Sequence, residues 1–600
     1  MSGELRFDVE GPPTRPDLAW RLVGDTDWLN RLAGNGQLQQ LTIAEDAEHY
    51  PAITGAFKGK GGSMRFEETD VSWVEGRSFR QERSYQSRLF TRTVYEAELV
   101  PQGDGTVRPR LHLQVEPGLA LLRPIIRASV AGIGRRWAAA LAALPGPGVA
   151  WEEPPLRALP PAAVAAFERW GAKAPPAVVD RTRRWVERAR PSELQRMRPW
   201  ELADRWGMDR GEVLAALLRG VVDGALELYW SVRCERCHGS VASSPLLSDL
   251  ADHADCPSCQ VAFATDLGAN VEVLLTPHPA VVPRVEQRFC TLFPLGAPDI
   301  RALFVVQPDA VIRADVPVEA GHWRIDAGAR LPHLEVTVGQ EGDPHVRWSA
   351  AGGPAQVSAP GGTLALELHN PTRRRARVHL SRVGAEDKVP ASALTTLPAF
   401  RRMMGHQVLS PTLRIAVRSV AVVFTDLAGS TAMYEVLGDA GAFAFVRDHF
   451  ELLRGVVEEH GGVVVKTVGD GLMAAFHEAG AAAAASLDML ARFDGWAPRR
   501  DLDTGLKVGV HAGPALVVHS DTAGIDYFGA TVNLSARAQG VAQPGEAVWT
   551  RETLDLPGAS DAILRFGAAQ VDDTVALRGI TGTRRVLRLR VSPGTPRPAR

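Results

Sequence analysis

The sequence predicts a multi-domain α+β protein, and three observations carry that reading. The chain has 600 residues, enough for several domains at ~150 residues each. Its 45% hydrophobic and 23% charged residues are those of a globular chain, not a disordered or fibrous one. Period-two strand patterns also alternate with helical blocks, separated by stretches rich in Pro, Gly and Ala. A formal net charge of -2 excludes a strongly basic nucleic-acid coat and an acidic tail. The opening residues lack a basic stretch followed by an apolar core, and no run of ~18 uncharged apolar residues occurs. Five cysteines are too few for a disulfide framework. The expectation is a cytoplasmic chain with no membrane span.

Residues 1–145 open with an amphipathic segment from Pro16 to Leu32. Strand-like runs follow at Val71–Gly76, Ser78–Tyr85, Thr91–Leu99 and Arg110–Val115, with a hairpin signal at Gln102-Gly-Asp-Gly-Thr106. A long apolar helix is expected over ~117–144. Helix, many strands and a closing helix resemble the helix-grip fold of START-like lipid- and polyketide-binding proteins. That resemblance implies a sheet wrapped round the last helix, and either an apolar small-molecule ligand in a cavity or a filled core.

Residues 146–230 combine a Pro- and Ala-rich linker with helices. Pro199–Gly207 followed by Met208–Leu218 has helix, turn, helix spacing, and Ala225–Trp230 would be the strand of a winged-helix-like unit. Its second helix carries Asp209, Arg210, Glu212 and Arg219 with no net basic face, which argues against nucleic acid as a partner. Within 231–265, Cys234-Glu-Arg-Cys237 and Cys256-Pro-Ser-Cys259 are two CxxC knuckles. Two such knuckles complete a closed tetrahedral thiolate site, best suited to a structural zinc ribbon, with iron as the alternative. His238 and His253 lie nearby but are not needed for four ligands. Residues 266–390 return to short strands, including Val271–Leu275 and His333–Val338, at the spacing of a β-sandwich. Residues 391–417, with Pro398-Ala-Phe-Arg-Arg-Met-Met404, read as a short helix and connector.

Chemistry concentrates in residues 418–592. Ala421–Thr425 is a buried strand that Asp426 ends, and Leu427-Ala-Gly-Ser-Thr431 starts a helix. A carboxylate at a strand end beside helix N-terminal amides can hold a metal and a polyphosphate together. Asp470 sits in the Gly469-Asp470-Gly471 turn between two strands. If that hairpin pairs with the first strand, both carboxylates converge on one two-metal site. Asn533 and Arg537, four residues apart, share a helix face, an arrangement that suits a ribose and a transferring phosphate. The chain has only six lysines, so Lys466 is not a default cation.

The segments Phe424-Thr-Asp-Leu-Ala-Gly-Ser-Thr431, Val465-Lys-Thr-Val-Gly-Asp470, Gly509-Val-His-Ala-Gly513 and Asp526–Arg537 resemble the catalytic domain of class III nucleotidyl cyclases. The order of the preceding modules is similar to that of bacterial cyclases. The resemblance implies a ferredoxin-like α/β domain that works as a head-to-tail homodimer. It implies that Asp426 and Asp470 bind two Mg2+ or Mn2+ ions, and that Lys466 and Asp526 select adenine and hence ATP. Asn533 would orient the ribose and Arg537 would stabilise the transferring phosphoryl group. Phe424, Thr425, Gly429, Ser430 and Thr431 would line the substrate, and Arg578, where the family commonly has lysine, would meet the terminal phosphates. The implied activity is an adenylate cyclase (a phosphorus–oxygen lyase making cyclic AMP) regulated by its N-terminal modules. GTP as a secondary substrate stays open. A degenerate nucleotide sensor is disfavoured because both aspartates, Asn533 and Arg537 are present.

Overall fold

The computed structural model describes residues 4–25, 29–30, 37–45, 51–59, 62–146, 155–236, 238–256, 261–282, 299–328, 330–383, 388–404, 414–496, 504–520 and 524–591. An antiparallel sheet comes first, in the spatial order Leu5–Glu10, Val107–Pro117, Phe90–Pro101, Ser78–Tyr85, Gly62–Val74, Pro51–Gly59, Gln37–Glu45. Gly103 and Gly105, both at φ +82°, make the predicted hairpin turn. The opening helix is shorter than the amphipathic pattern suggests, running Pro16–Val23. The closing helix is Arg123–Ala142, and Ala120–Leu122 forms a 3-10 turn ahead of it because Pro124 suits a first helical turn. Trp137 and Leu141 of that helix pack with Trp20, Phe66, Trp73, Phe79, Tyr95 and Leu99 between helix and sheet.

The far end of Gly62–Val74 pairs with Ile300–Val306, through Val74 opposite Ala302 and Trp73 opposite Leu303. The first sheet therefore runs on into one sheet of a two-layer unit. Its second layer is Ala310–Val318, Gly362–Asn370 and His345–Ser349, with Val316, Trp323, Trp348, Leu366 and Val378 packed between the layers. One sequence expectation fails here. The strand Val271–Pro277 is not part of this unit; it pairs antiparallel with Leu226–Arg233. The reason is its burial: Val271 to Leu275 is covered on both faces, as a strand beneath helices must be, whereas a sandwich strand alternates.

The helices Pro161–Gly171, Pro176–Arg188, Pro199–Trp206 and Arg210–Val222 cover that small sheet. Gly207 (φ +63°) turns the chain between the last two, and Asp209 caps the second by accepting from the Glu212 N–H at 2.8 Å. Where this unit meets the sandwich, buried charges are neutralised in one cluster. Arg198 pairs with Glu272 at 2.5 Å, while Arg233 and Lys388 pair with Asp299 at 2.7 and 2.9 Å. Such a cluster is costly to break, since any one deletion strands a buried charge.

Residues 388–404 lead from this cluster through the helices Ala391–Thr395 and Pro398–Met404 into the last sheet. Its order is Val463–Val468, Gly471–Phe476, Arg414–Ala428, Gly505–Ser520, Glu546–Thr550, Thr583–Arg590, Ala569–Ala576, with Gly524–Phe528 paired to the outer half of Gly505–Ser520. One face (Ala421, Val423, Ala474, Phe476, Val508, Val510) packs beneath the helices Ser430–Glu459 and Ala479–Trp496. The other face (Val420, Val422, Val463, Val465, Met473, Ala475, Val517, Tyr527) is continuous with the core of the helical unit and the connector helices. Ties across this junction include Leu267 N–H to Ala416 O at 3.1 Å and Arg418 to Glu235 at 2.7 Å.

Candidate active site

The first strand of the last sheet runs Arg414–Ala428, two residues past Asp426. Asp426 does not end it, because Gly505–Ser520 continues the ladder with Asp426 opposite Lys507 and Leu427 opposite Leu506. The hairpin Val463–Val468/Gly471–Phe476 pairs with this strand through Phe424 opposite Met473. A Cβ on Gly471 would lie 2.0 Å from the Thr425 carbonyl oxygen, so only glycine lets the hairpin tip press against Thr425 and Asp426. Gly469 supplies the left-handed turn at φ +62°. The two aspartates thus meet at one place.

Local hydrogen bonds hold this tip. Thr425 Oγ1 accepts from the Leu472 N–H at 3.1 Å, and His449 Nε2 donates to the Asp470 carbonyl at 3.2 Å. His449 is fully buried, and burial pushes its pKa down to about 4, so the ring is neutral near pH 7. Asp470 Oδ2 is buried and has no hydrogen-bond partner among the described residues. Asp426 Oδ2 accepts from Lys507 Nζ at 2.6 Å. Beyond Asp426, Gly429 (φ +79°) starts the helical run Ser430–Glu459, which kinks at Gly438 (φ +64°), and Gly429 and Thr431 are exposed. First-turn N–H groups of a helix favour anions. Phe424 packs partly against the core on the connector side.

The second group of site residues sits on different strands. Lys466 Nζ donates to Asp526 Oδ2 at 2.6 Å, and Asp526 Oδ1 accepts from the Tyr527 N–H at 2.8 Å. Tyr527 is buried, and burial raises its pKa above the usual phenol value. Its hydroxyl donates to Thr395 Oγ1 at 2.9 Å, while the Arg401 guanidinium lies 5.8 Å from its ring centroid. Arg401 Nε also donates to the Thr395 carbonyl at 2.7 Å, so both connector helices brace the strand that carries Asp526.

The third group is on the helix Ala530–Gly540. Ser535 Oγ donates to the Val422 carbonyl at 2.7 Å, and a Cβ on Gly509 would meet Gln539 N at 2.1 Å. Glycine at 509 lets this helix lie flush on the sheet. Asn533 and Arg537 then project on its exposed side, without a side-chain hydrogen bond or ion pair among the described residues. Arg578, in the turn after Ala569–Ala576, is also exposed and makes no hydrogen bond or ion pair with the other site residues. Within one chain, then, the predicted residues form three groups: Asp426 with Asp470, Lys466 with Asp526, and Asn533 with Arg537.

Residues 415–579 match the adenylate and guanylate cyclase catalytic domain family. This segment is a class III cyclase catalytic domain. Residues 162–289, which include the helices over the small sheet, match a family of unknown function (DUF5939). The chain is 27% identical over 194 residues to an adenylate cyclase of Lachancea kluyveri, covering 29% of this chain and 10% of that protein. It is 31% identical over 172 residues to a receptor-type adenylate cyclase of Trypanosoma congolense, covering 22% of this chain and 23% of that protein. The chain therefore spans about a tenth and about a quarter of the lengths of these curated relatives. The crystal structure of the adenylyl cyclase CyaB from P. aeruginosa aligns with a TM-score of 0.27 at 20% identity, covering 31% of this chain and 99% of that one.

Two cyclase-domain residues were missed by the sequence reading. Lys507 is one of only six lysines, the same scarcity that marks Lys466. His449 lies inside a helix with nothing local to mark it, and only the tertiary contact with Asp470 shows its place. Outside the cyclase domain, Cys234 and Cys256 are buried, with the partly buried Val241, Val261 and Phe263 packed against them. Cys237 and Cys259 lie outside the described residues. Among the described residues no group of three or more His, Cys, Asp or Glu could hold a metal, and no helix is long and apolar enough to cross a membrane.

Proposed function

We propose that the protein converts ATP to 3′,5′-cyclic AMP and pyrophosphate. The Lys466–Asp526 pair carries the choice of purine. An ammonium donor and a carboxylate acceptor 2.6 Å apart match the adjacent N1 acceptor and 6-amino donor of adenine. Guanine offers N1–H and O6, which would set donor against donor and acceptor against acceptor. In the reaction the 3′-hydroxyl oxygen bonds to the α-phosphorus as its proton passes to Asp426 or a water, and the bond to the bridging oxygen breaks as pyrophosphate leaves.

The donor set of Asp426 and Asp470 fits Mg2+ or Mn2+: both are hard oxygen ligands, and Asp470 Oδ2 is buried without a protein partner. Bound there, two such ions would acidify the 3′-hydroxyl and neutralise the phosphates. Lys507, paired with Asp426 at 2.6 Å, would keep positive charge beside the polyphosphate. The Gly429–Thr431 amides cradle phosphate oxygens beside Phe424 and Thr425. Asn533 orients the ribose, Arg537 takes up charge on the transferring phosphoryl group, and Arg578 meets the terminal phosphates.

Among the described residues the three groups share no side-chain hydrogen bond or ion pair with one another, which supports a head-to-tail homodimer. In it, Asp426 and Asp470 of one copy work with Lys466, Asp526, Asn533 and Arg537 of the other. The N-terminal modules would regulate this assembly, since their core continues into the catalytic sheet. The CxxC pairs Cys234/Cys237 and Cys256/Cys259 would hold a structural zinc ion, for which the joint burial of Cys234 and Cys256 speaks; metal analysis of Cys256→Ser protein, expected to lose zinc, tests it.

The full-length protein incubated with Mn2+ and either ATP or GTP, with products read by mass spectrometry, tests the main proposal. Cyclic AMP from ATP, in excess over cyclic GMP from GTP, is expected. Cyclic GMP in excess would overturn the purine assignment. No product from the full chain and none from residues 410–600 would overturn the activity.

A further inference from the structure

The first sheet carries a surface that the catalytic reading leaves unused. Leu121 and Ile125 are 76% and 65% exposed, and Leu89 and Leu119 are 49% and 42% exposed. They form one end of the domain. The Gly118 N–H donates to the Leu89 carbonyl at 2.9 Å, which sets the loop bearing Arg88 and Leu89 beside the 3-10 turn Ala120–Leu122 and the first turn of Arg123–Ala142. That helix already has a satisfied inner face in Ile126, Val130, Trp137 and Leu141. Leu121 and Ile125 point elsewhere, so core packing does not account for them.

Charge at this end is mostly basic, with Glu4 and Glu116 lying beside Arg92 on the neighbouring strands. Arg88, Arg123 and Arg127 are exposed, and Arg135 continues the row along the helix. None of these four forms an ion pair among the described residues. From Pro117 to Trp151 the sequence contains no Asp or Glu, in a chain whose 67 basic and 69 acidic residues otherwise balance. A nucleic acid would suit the arginines but not four exposed aliphatic side chains. An acidic protein groove would leave the projecting Leu121 and Ile125 without reason to stand at the tip. Aliphatic groups at the apex with a ring of guanidinium groups behind them complement one surface best: acyl chains below a layer of anionic headgroups.

We propose that this end of the N-terminal domain docks on anionic membrane surfaces, with Leu121 and Ile125 entering the interface and Arg88, Arg123 and Arg127 meeting lipid phosphates and carboxylates. The test is flotation of the full-length protein with phosphatidylcholine vesicles, with and without about 30% phosphatidylserine. Flotation with the anionic vesicles, little with the neutral ones, and release by salt are expected. Leu121→Glu with Ile125→Glu should abolish flotation, and Arg123→Gln with Arg127→Gln should weaken it roughly ten-fold or more. All four positions are exposed, so circular dichroism and melting of both variants should match the parent. Protein that stays with the neutral and anionic supernatants alike overturns the proposal, as does a Leu121→Glu, Ile125→Glu variant that still floats. A change in sedimentation of that variant without vesicles would instead assign the patch to a second copy of the chain, and also overturns it.

Discussion

The two ends of the catalytic sheet are built to different standards of completion. Around Lys466 and Asp526 every polar group has its partner inside one chain. Lysine and aspartate pair at 2.6 Å, the Tyr527 N–H caps the second carboxylate oxygen, and Thr395 and Arg401 hold Tyr527 from outside the sheet. Around Asp426 and Asp470 the backbone is as well fixed, through Gly471, Thr425 and His449, but the chemistry-bearing atoms are not. Asp470 Oδ2 has no hydrogen-bond partner among the described residues, Asp426 has only Lys507, and Asn533 and Arg537 stand exposed on a neighbouring helix. On the proposed reading, base recognition would be preorganised by the chain itself, whereas the reacting end would keep open valences for metal, phosphate and a second copy. That division is what a composite site requires.

Four sets of substitutions would break or sharpen this contrast. The largest effect is expected at the open end: Asp426→Ala or Asp470→Ala should reduce cyclic AMP formation by a factor of about 10³ or more, to background in a radiometric assay, with melting temperature preserved. Next, Asn533→Ala or Arg537→Ala should lower kcat by roughly 10²–10³-fold with KM for ATP little changed, the pattern of groups that act in the transition state. At the paired end, Lys466→Ala or Asp526→Ala should act on selection instead. The kcat/KM for ATP should fall by about 10–100-fold and the ATP-to-GTP ratio should shrink, read from parallel assays with both nucleotides. The smallest effect is expected for the brace: Tyr527→Phe or Thr395→Val should cost about 1 kcal/mol in chemical denaturation, without changing nucleotide preference.

A pH dependence follows from His449. Its folded pKa of about 4 lies below the ordinary histidine value of 6.5 because the ring is buried. The unfolded chain therefore binds the proton first as pH falls, and its contribution to stability is complete above about 6.5 and lost as pH drops towards 4. His449→Asn, which can still donate to the Asp470 carbonyl but does not titrate, should flatten part of the acid limb of a melting-temperature profile between those values. An unchanged acid limb would show that other buried histidines, such as His238, carry that dependence.

Much of this was legible before any coordinates. Asp426 beside a helix start, Asp470 between two strands and Asn533 with Arg537 on one helix face follow from local patterns of period and turn. The first sheet, its closing helix and the helix-turn-helix spacing around Gly207 were legible for the same reason. What escaped was long-range. Val271–Pro277 has the composition of a sandwich strand, and only burial on both faces and its pairing with Leu226–Arg233 reveal its place. The continuation of the Arg414–Ala428 strand past Asp426 depends on Lys507, some eighty residues away in sequence. The bracing of Asp526 by Thr395 and Arg401 joins segments that no periodicity connects.

In the proposed composite site, metal-binding and transition-state groups come from two copies of the chain. Mixing Asp426→Ala protein with Arg537→Ala protein tests it most directly. Each alone should be inactive, but a mixed dimer rebuilds one complete site and discards the other. Equal amounts, allowed to exchange subunits, should recover about a quarter of the parent's cyclic AMP production. A mixture that stays inactive after subunit exchange has been demonstrated would contradict the composite site and place the whole reaction within a single chain.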